Sequence, residues 1–208
     1  HANSFFAPVM IRMLPTDMLN KAYGRLSERV KQSAAGQELA RIVERNHAVA
    51  AFAASDSIPD FKLSDRNGDS VNILALASKY KYTLIDFWAR WCGPCRASFP
   101  KLEQAYNKYN SRGFNIVGIS LDEKKQDWLT ALKEENPLWF QGLDDLNEVS
   151  KNIFGIKSIP GYLLIDTQGK IIQSQIRSYA ELEQIQTLKG KSLVTDLEEI
   201  LEMLLKDK

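Results

Sequence analysis

The chain has 208 residues, with 27 basic and 26 acidic side chains and a formal net charge of +1. That length carries one well-buried domain plus an appendage, and the balanced charge leaves no excess to hold nucleic acid or an anionic membrane surface. No apolar stretch approaches ~18 residues, so no segment is expected to span a membrane.

The first ~55 residues read as helical. Leu19, Tyr23, Leu26 and Val30 recur at helical spacing, as do Leu39, Ile42, Val43 and Val49, with Gly36 between the two runs. One helix over 19–34 and a second over 37–53 are expected, followed by the polar Ser55-Asp56-Ser57 link. From Phe61 the pattern turns to mixed α/β. Phe61 and Leu63 alternate with polar residues before Asn67-Gly68, and Val71 and Ile73 alternate after it, which predicts a hairpin.

Residues 82–89 are nearly all apolar, as in a strand covered on both faces. Cys95, Phe99, Leu102, Tyr106 and Tyr109 then mark a long helix that ends near Arg112-Gly113, with Pro100 inside it as a kink. Phe114 to Ser120 reads as the next strand and completes a β-α-β unit. Residues 122–155 read as an insertion with a helix over 123–135, a short strand over 138–140 and a helix over 147–154. Its Trp128 and Trp139 are read as core. A final hairpin is expected over 161–166 and 170–176. A last helix over 195–206 should carry a capping box at Thr195-x-x-Glu198 and an apolar stripe of Leu197, Ile200, Leu201, Leu204 and Leu205.

The only two cysteines stand in Trp91-Cys92-Gly93-Pro94-Cys95-Arg96, directly after the buried strand. A strand that turns into a helix at Cys-x-x-Cys delivers both sulfurs to a helix N-terminus, where unpaired backbone N–H groups favour a thiolate. Two intervening residues bring the sulfurs within bonding reach, and Gly93 and Pro94 suit the turn and the first helical positions. Redox chemistry is the leading reading. A metal site would need further ligands, for which the chain offers only His1 and His47, both remote in sequence, and an inert buried pair is the third reading.

The stretch Leu84-Ile85-Asp86-Phe87-Trp88-Ala89-Arg90-Trp91-Cys92-Gly93-Pro94-Cys95 resembles the thioredoxin active-site signature. Ile58-Pro59-Asp60-Phe61, Gly118-Ile119-Ser120-Leu121-Asp122, Ser158-Ile159-Pro160 and Leu164-Ile165-Asp166-Thr167-Gln168-Gly169-Lys170 narrow the resemblance to the TlpA/ResA-like thiol–disulfide oxidoreductases. These form an extracytoplasmic branch of the thioredoxin superfamily near the AhpC/TSA group. The resemblance covers roughly residues 56–208 and implies an α/β thioredoxin-like fold, a central mixed sheet flanked by helices, behind an N-terminal helical extension over 1–55. It also implies a periplasmic or cell-envelope setting, disulfide-containing protein substrates and a membrane thiol reductant as electron donor. No cofactor and no metal are expected. Residues 1–55 resemble the helical stretch that precedes this domain in longer exported proteins of some Gram-negative bacteria, which implies a longer precursor; a plain helical extension is the equal alternative.

Carried over residue by residue, the resemblance makes Cys92 the nucleophile, Cys95 the resolving thiol and Asp86 the buried acid that relays its proton. A carboxylate inside an apolar strand is costly without a task or a partner, and a hydrogen-bonded structural acid is the competing reading of Asp86. Pro160 matches the superfamily's cis-proline, and Trp91, Gly93, Pro94, Ile159 and Pro160 are the expected substrate-facing residues. Two positions depart from the family. Ser98 stands where many relatives have a glutamate, and Gly161 where threonine is common after the proline. A peroxiredoxin-like peroxidase, which needs Thr or Ser a few residues before its cysteine where this chain has Trp88-Ala89-Arg90-Trp91, and a copper-handling thiol module with remote Met10, Met13, Met18 and Met203 are the alternatives from other classes.

Overall fold

The computed structural model describes residues 3–178 and 192–206, and the chain forms two compact units, His1–Ala51 and Phe52–Lys208. The first unit holds α1 (Ala7–Ile11), α2 (Thr16–Gly24), α3 (Glu28–Lys31) and most of α4 (Ala34–Ala53). Leu19, Leu26, Val30, Leu39 and Val43 form its core. The single helix expected over 19–34 is broken. It stops at Gly24, whose backbone freedom disfavours helix, and Ser27 is extended (φ −67°, ψ 152°) before α3 begins. Gly36, expected between two helices, lies inside α4 instead. Its N–H donates to Ser33 Oγ at 3.2 Å, which starts the helix at Ala34, and a Cβ there would strike the Val30 and Lys31 carbonyls.

In the second unit, β1 (Lys62–Ser64) and β2 (Ser70–Asn72) pair antiparallel around a turn in which Asp65 accepts from the Asn67 and Asp69 N–H groups and Gly68 takes φ +93°. The alternation read through Ile73 ends there, because the Asn72 side chain accepts from Ala75 N–H and caps α5 (Ile73–Ala77). Next come β3 (Tyr82–Trp88), α6 (Gly93–Tyr109) and β4 (Phe114–Ser120). Gly113, at φ +102°, makes the turn into β4 after a 3-10 stretch over 110–112.

Residues 122–155 are more than an insertion. After α7 (Lys125–Glu135), β5 (Phe140–Leu143) enters the main sheet parallel to β4, two residues later than the expected short strand. Then follow α8 (Glu148–Asn152), β6 (Ile156–Asp166), β7 (Ile171–Ser178) and α9 (Leu197–Leu204). The sheet is mixed, seven-stranded, in the order β2-β1-β5-β4-β3-β6-β7. β3, β4 and β5 run parallel, while β6 is antiparallel to β3 and β1 to β5.

Period-2 alternation along β3 sends Leu84 and Trp88 to one face with Asp86 between them, and Ile85 and Phe87 to the other. The first face packs on α6, α7 and α9, with Trp128 and Trp139 buried in it. The second face holds α5 and Phe154, which meets Phe52, Phe61 and Phe87 edge-on at centroid distances of 4.8, 5.5 and 5.2 Å. Phe154→Ala should therefore cost ~3–5 kcal/mol of unfolding free energy, read by denaturant titration. A loss under ~1 kcal/mol would mean that this face collapses around the gap.

The capping box expected at Thr195 does not form. Helix α9 starts at Leu197, Thr195 N–H donates to Ser192 Oγ, and Glu198 turns outward to accept from Lys108 Nζ at 2.8 Å. The stripe of Leu197, Ile200, Leu201 and Leu205 is buried against the α6 face. No helix among the described residues is long and apolar enough to cross a membrane.

Candidate active site

Cys92 and Cys95 form a disulfide at the N-terminus of α6, with Cα atoms 5.3 Å apart. Cys92 is the N-cap residue. Its Sγ accepts the Cys95 N–H at 3.2 Å, so one of the helix's orphan donors already points at the sulfur. Gly93 and Pro94 occupy the first two helical positions, where a missing N–H costs nothing. Cys92 is 4% exposed and Cys95 0%.

The loop that presents this pair is tied down from β4. Asp122 accepts the Arg90 N–H with both carboxylate oxygens, at 3.2 and 3.0 Å, and also accepts from Ser120 Oγ at 2.8 Å. The Leu121 N–H donates to the Trp88 carbonyl. On the outer side Arg90 pairs with Asp127 and Glu134, and Arg96 with Glu134 and Glu135, which clips the start of α6 to α7. Asp122 appeared in the sequence only as part of a motif; its anchoring role needed the strand-to-loop geometry.

Trp91 is 69% exposed, beside Cys92. It lines a cleft of about 350 Å³ together with Leu121, Lys124, Ile156, Ser158 and Ile159. The Ile159-Pro160 bond is cis. Gly161 follows it, in register with Phe87, and a Cβ there would come within 3.3 Å of Ile176, so a threonine in its place would press on β7.

Asp86 lies on the α6 face of the sheet and is fully buried, with neither carboxylate oxygen hydrogen-bonded among the described residues. Burial alone pushes its pKa up to about 8. Directly across β6 stands Tyr162, in register with Asp86. Its hydroxyl lies 3.0 Å from Ser98 Oγ, and Ser98 Oγ donates to the Cys95 carbonyl at 2.6 Å. Burial, then the nearby Asp86, raises the Tyr162 pKa, so this hydroxyl stays neutral. Ser98 is thus part of a hydroxyl pair linking the second cysteine's turn to the strand beside Asp86. Tyr162 carried no signal in the sequence, because its partner lies 64 residues away.

Residues 54–174 match the AhpC/TSA family. The chain belongs to that family. Its fold and the Cys-Gly-Pro-Cys disulfide make it a thioredoxin-superfamily member, and the chain is a thiol–disulfide oxidoreductase. Among similar proteins, the thiol-disulfide oxidoreductase ResA of Bacillus thuringiensis subsp. konkukian is 28% identical over 128 residues, covering 62% of this chain and 72% of its own. The thioredoxin domain of a thiol-disulfide oxidoreductase from Bacteroides vulgatus matches in structure with a TM-score of 0.58 at 29% identity, over 72% of this chain and 96% of that one. A thiol-disulfide oxidoreductase from Bacteroides fragilis gives a TM-score of 0.55 at 28% identity, over 70% and 99%. Among the described residues of this AhpC/TSA protein, no group of three or more His, Cys, Asp or Glu is placed to hold a metal ion. His1 lies outside the described residues.

Proposed function

We propose that this chain reduces disulfides of protein substrates in the cell envelope, with Cys92 as nucleophile and Cys95 as resolving thiol. The observation that carries the reading is Cys92 Sγ at the cap of α6, accepting a backbone N–H. In the reduced protein that hydrogen bond and the helix dipole favour the Cys92 thiolate, the species that attacks a disulfide. Attack breaks the substrate S–S bond, releases one substrate thiolate and leaves the other substrate sulfur bonded to Cys92 Sγ. Cys95 then loses its proton to Asp86 and its thiolate attacks Cys92 Sγ. The Cys92–Cys95 bond forms, the second substrate sulfur leaves as thiolate, and two electrons have passed from protein to substrate.

Trp91, Gly93, Pro94, Ile159 and Pro160 would face the substrate, with the exposed indole and the neighbouring cleft taking side chains next to its cysteine. The periplasmic or envelope setting, and a membrane thiol reductant that restores the dithiol, rest on the resemblance to the TlpA/ResA-like branch. Residues 1–55 are read as a helical appendage to the thioredoxin-like domain over 56–208.

The direction is tested by equilibrating the chain with glutathione buffers. The shared Gly-Pro dipeptide argues for a potential of roughly −270 to −180 mV, between thioredoxin and the disulfide isomerases. A value near about −120 mV, that of a strong oxidant such as DsbA, would reverse the assigned direction.

A further inference from the structure

Resolution by Cys95 needs a base, and the reading of Asp86 as that base leaves a physical problem. A fully buried carboxylate with no hydrogen bond is held in its neutral form, which takes no proton. Something in its surroundings has to favour the ion.

The sheet register names the neighbours. One row across the sheet runs Tyr162 (β6), Asp86 (β3), Gly118 (β4), Gln141 (β5). Adjacent strands lie ~4.8 Å apart, so Gln141 starts two strands from Asp86 with only a glycine between them. A Cβ at position 118 would collide with Oε1, Cδ and Nε2 of Gln141. The Gln141 carboxamide therefore lies folded over Gly118, towards β3, and the absence of a side chain at 118 is what admits it.

Its orientation is fixed by chemistry. Trp88 Nε1 donates to Gln141 Oε1 at 2.9 Å, and an indole N–H can only donate, so the oxygen is committed and the NH2 group is left over. Gln141 is 3% exposed and its Nε2 has no hydrogen-bond partner among the described residues. A buried amide without an acceptor costs about 1–3 kcal/mol, and the buried carboxylate in the same row lacks a donor. These two orphans are complementary.

We propose that Gln141 is a positioning residue for the exchange reaction: once the Cys92–Cys95 bond is open, its Nε2–H donates to the Asp86 carboxylate, directly or through one water, and favours the ionised form that receives the Cys95 proton. The proposal rests on the reading of Asp86 as proton acceptor. Among the described residues, Tyr162 on β6 is the titratable group in register with Asp86, and Cys92 and Cys95 of α6 lie in the buried cluster on the same face of the sheet. None of them is a cation. Tyr162 is committed through Ser98, and of the buried donors without a partner among the described residues, which include the indoles of Trp128 and Trp139, Gln141 Nε2 is the one in the Asp86 row.

The test uses the full reduced chain, with Asp carboxyl carbons and Gln side-chain amides labelled for NMR titration. In the unsubstituted protein the Gln141 amide resonances should move with the same midpoint as the Asp86 carboxyl. Gln141→Met, which keeps the length and deletes the donor, should raise the Asp86 midpoint by about one pH unit and slow resolution of a mixed disulfide at pH 7 by about tenfold. The pH profile of resolution should shift upward by the same interval, which a loss of packing alone would not produce. Gln141 resonances that stay flat through the Asp86 titration, or an unchanged midpoint in Gln141→Met, would overturn the proposal. The first measurement needs no variant to fold. Failure of Asp86 as base is read separately, as unchanged resolution in Asp86→Asn, while the two titrations still report whether the amide touches the carboxylate.

Discussion

Cys95→Ser is expected to hold substrates on Cys92 as mixed disulfides that survive non-reducing gels, while Cys92→Ser is expected to hold none. The asymmetry comes from the helix start. Cys92 Sγ is the cap acceptor, next in sequence to the exposed Trp91, whereas Cys95 lies one turn into α6 and is fully buried in the cluster that holds Leu84, Trp88, Phe99 and Tyr162. A substrate disulfide that reaches the start of α6 meets the first sulfur before the second. Losing the attacking sulfur should lower turnover on the order of 10³-fold or more, the scale at which deletion of a nucleophile acts. Losing the resolving sulfur should leave the first attack intact and stop the second. Trapping by Cys92→Ser with free passage in Cys95→Ser would exchange the two roles.

The sequence and the structure part company at identifiable residues. The strand over 82–88, the turn into α6 and the final hairpin were legible because each rests on local pattern: a continuous apolar run, a Gly-Pro pair at a helix start, a Thr167-Gln168-Gly169 turn between two strand-like segments. Local pattern misled at Ile73, where a side-chain cap from Asn72 outweighs the alternation, and at Thr195, where Lys108 from another helix claims the glutamate. β5 read as a fragment of an insertion because its partner β4 is reached only through α7, and parallel pairing across a crossover leaves no turn signal. The same reason hid Gln141 and Tyr162. Cys-x-x-Cys and the acid inside an apolar strand could be read from the chain, but the row that joins Asp86 to Tyr162, Gly118 and Gln141 exists only once the strand order is known. Ser98 stood out as a departure from relatives, and its bond to Tyr162 Oη turns that departure into a contact.

Asp86→Asn should slow resolution of the mixed disulfide and stabilise the fold, with a gain that depends on pH in a definite sense. Burial raises the Asp86 pKa to about 8, against about 3.9 for an aspartate in the unfolded chain. Between those values the folded state binds the proton and the unfolded state does not, so unfolding releases a proton and stability falls as pH rises. The neutral aspartic acid costs nothing extra below about pH 4; through the window up to pH 8 the penalty grows by at most ~1.4 kcal/mol per pH unit and then levels off. Asparagine does not titrate. The stability difference between Asp86→Asn and the unsubstituted chain should therefore widen by several kcal/mol from pH 4 to pH 8, measured by urea unfolding of the oxidised proteins at each pH. Using the oxidised form keeps Cys92 and Cys95 from titrating, and leaves Tyr162, whose pKa lies above this range, as the other ionisable group among the described residues shown to feel Asp86. A difference that stays flat over pH 4 to 8 would mean that Asp86 ionises inside the fold as readily as outside it.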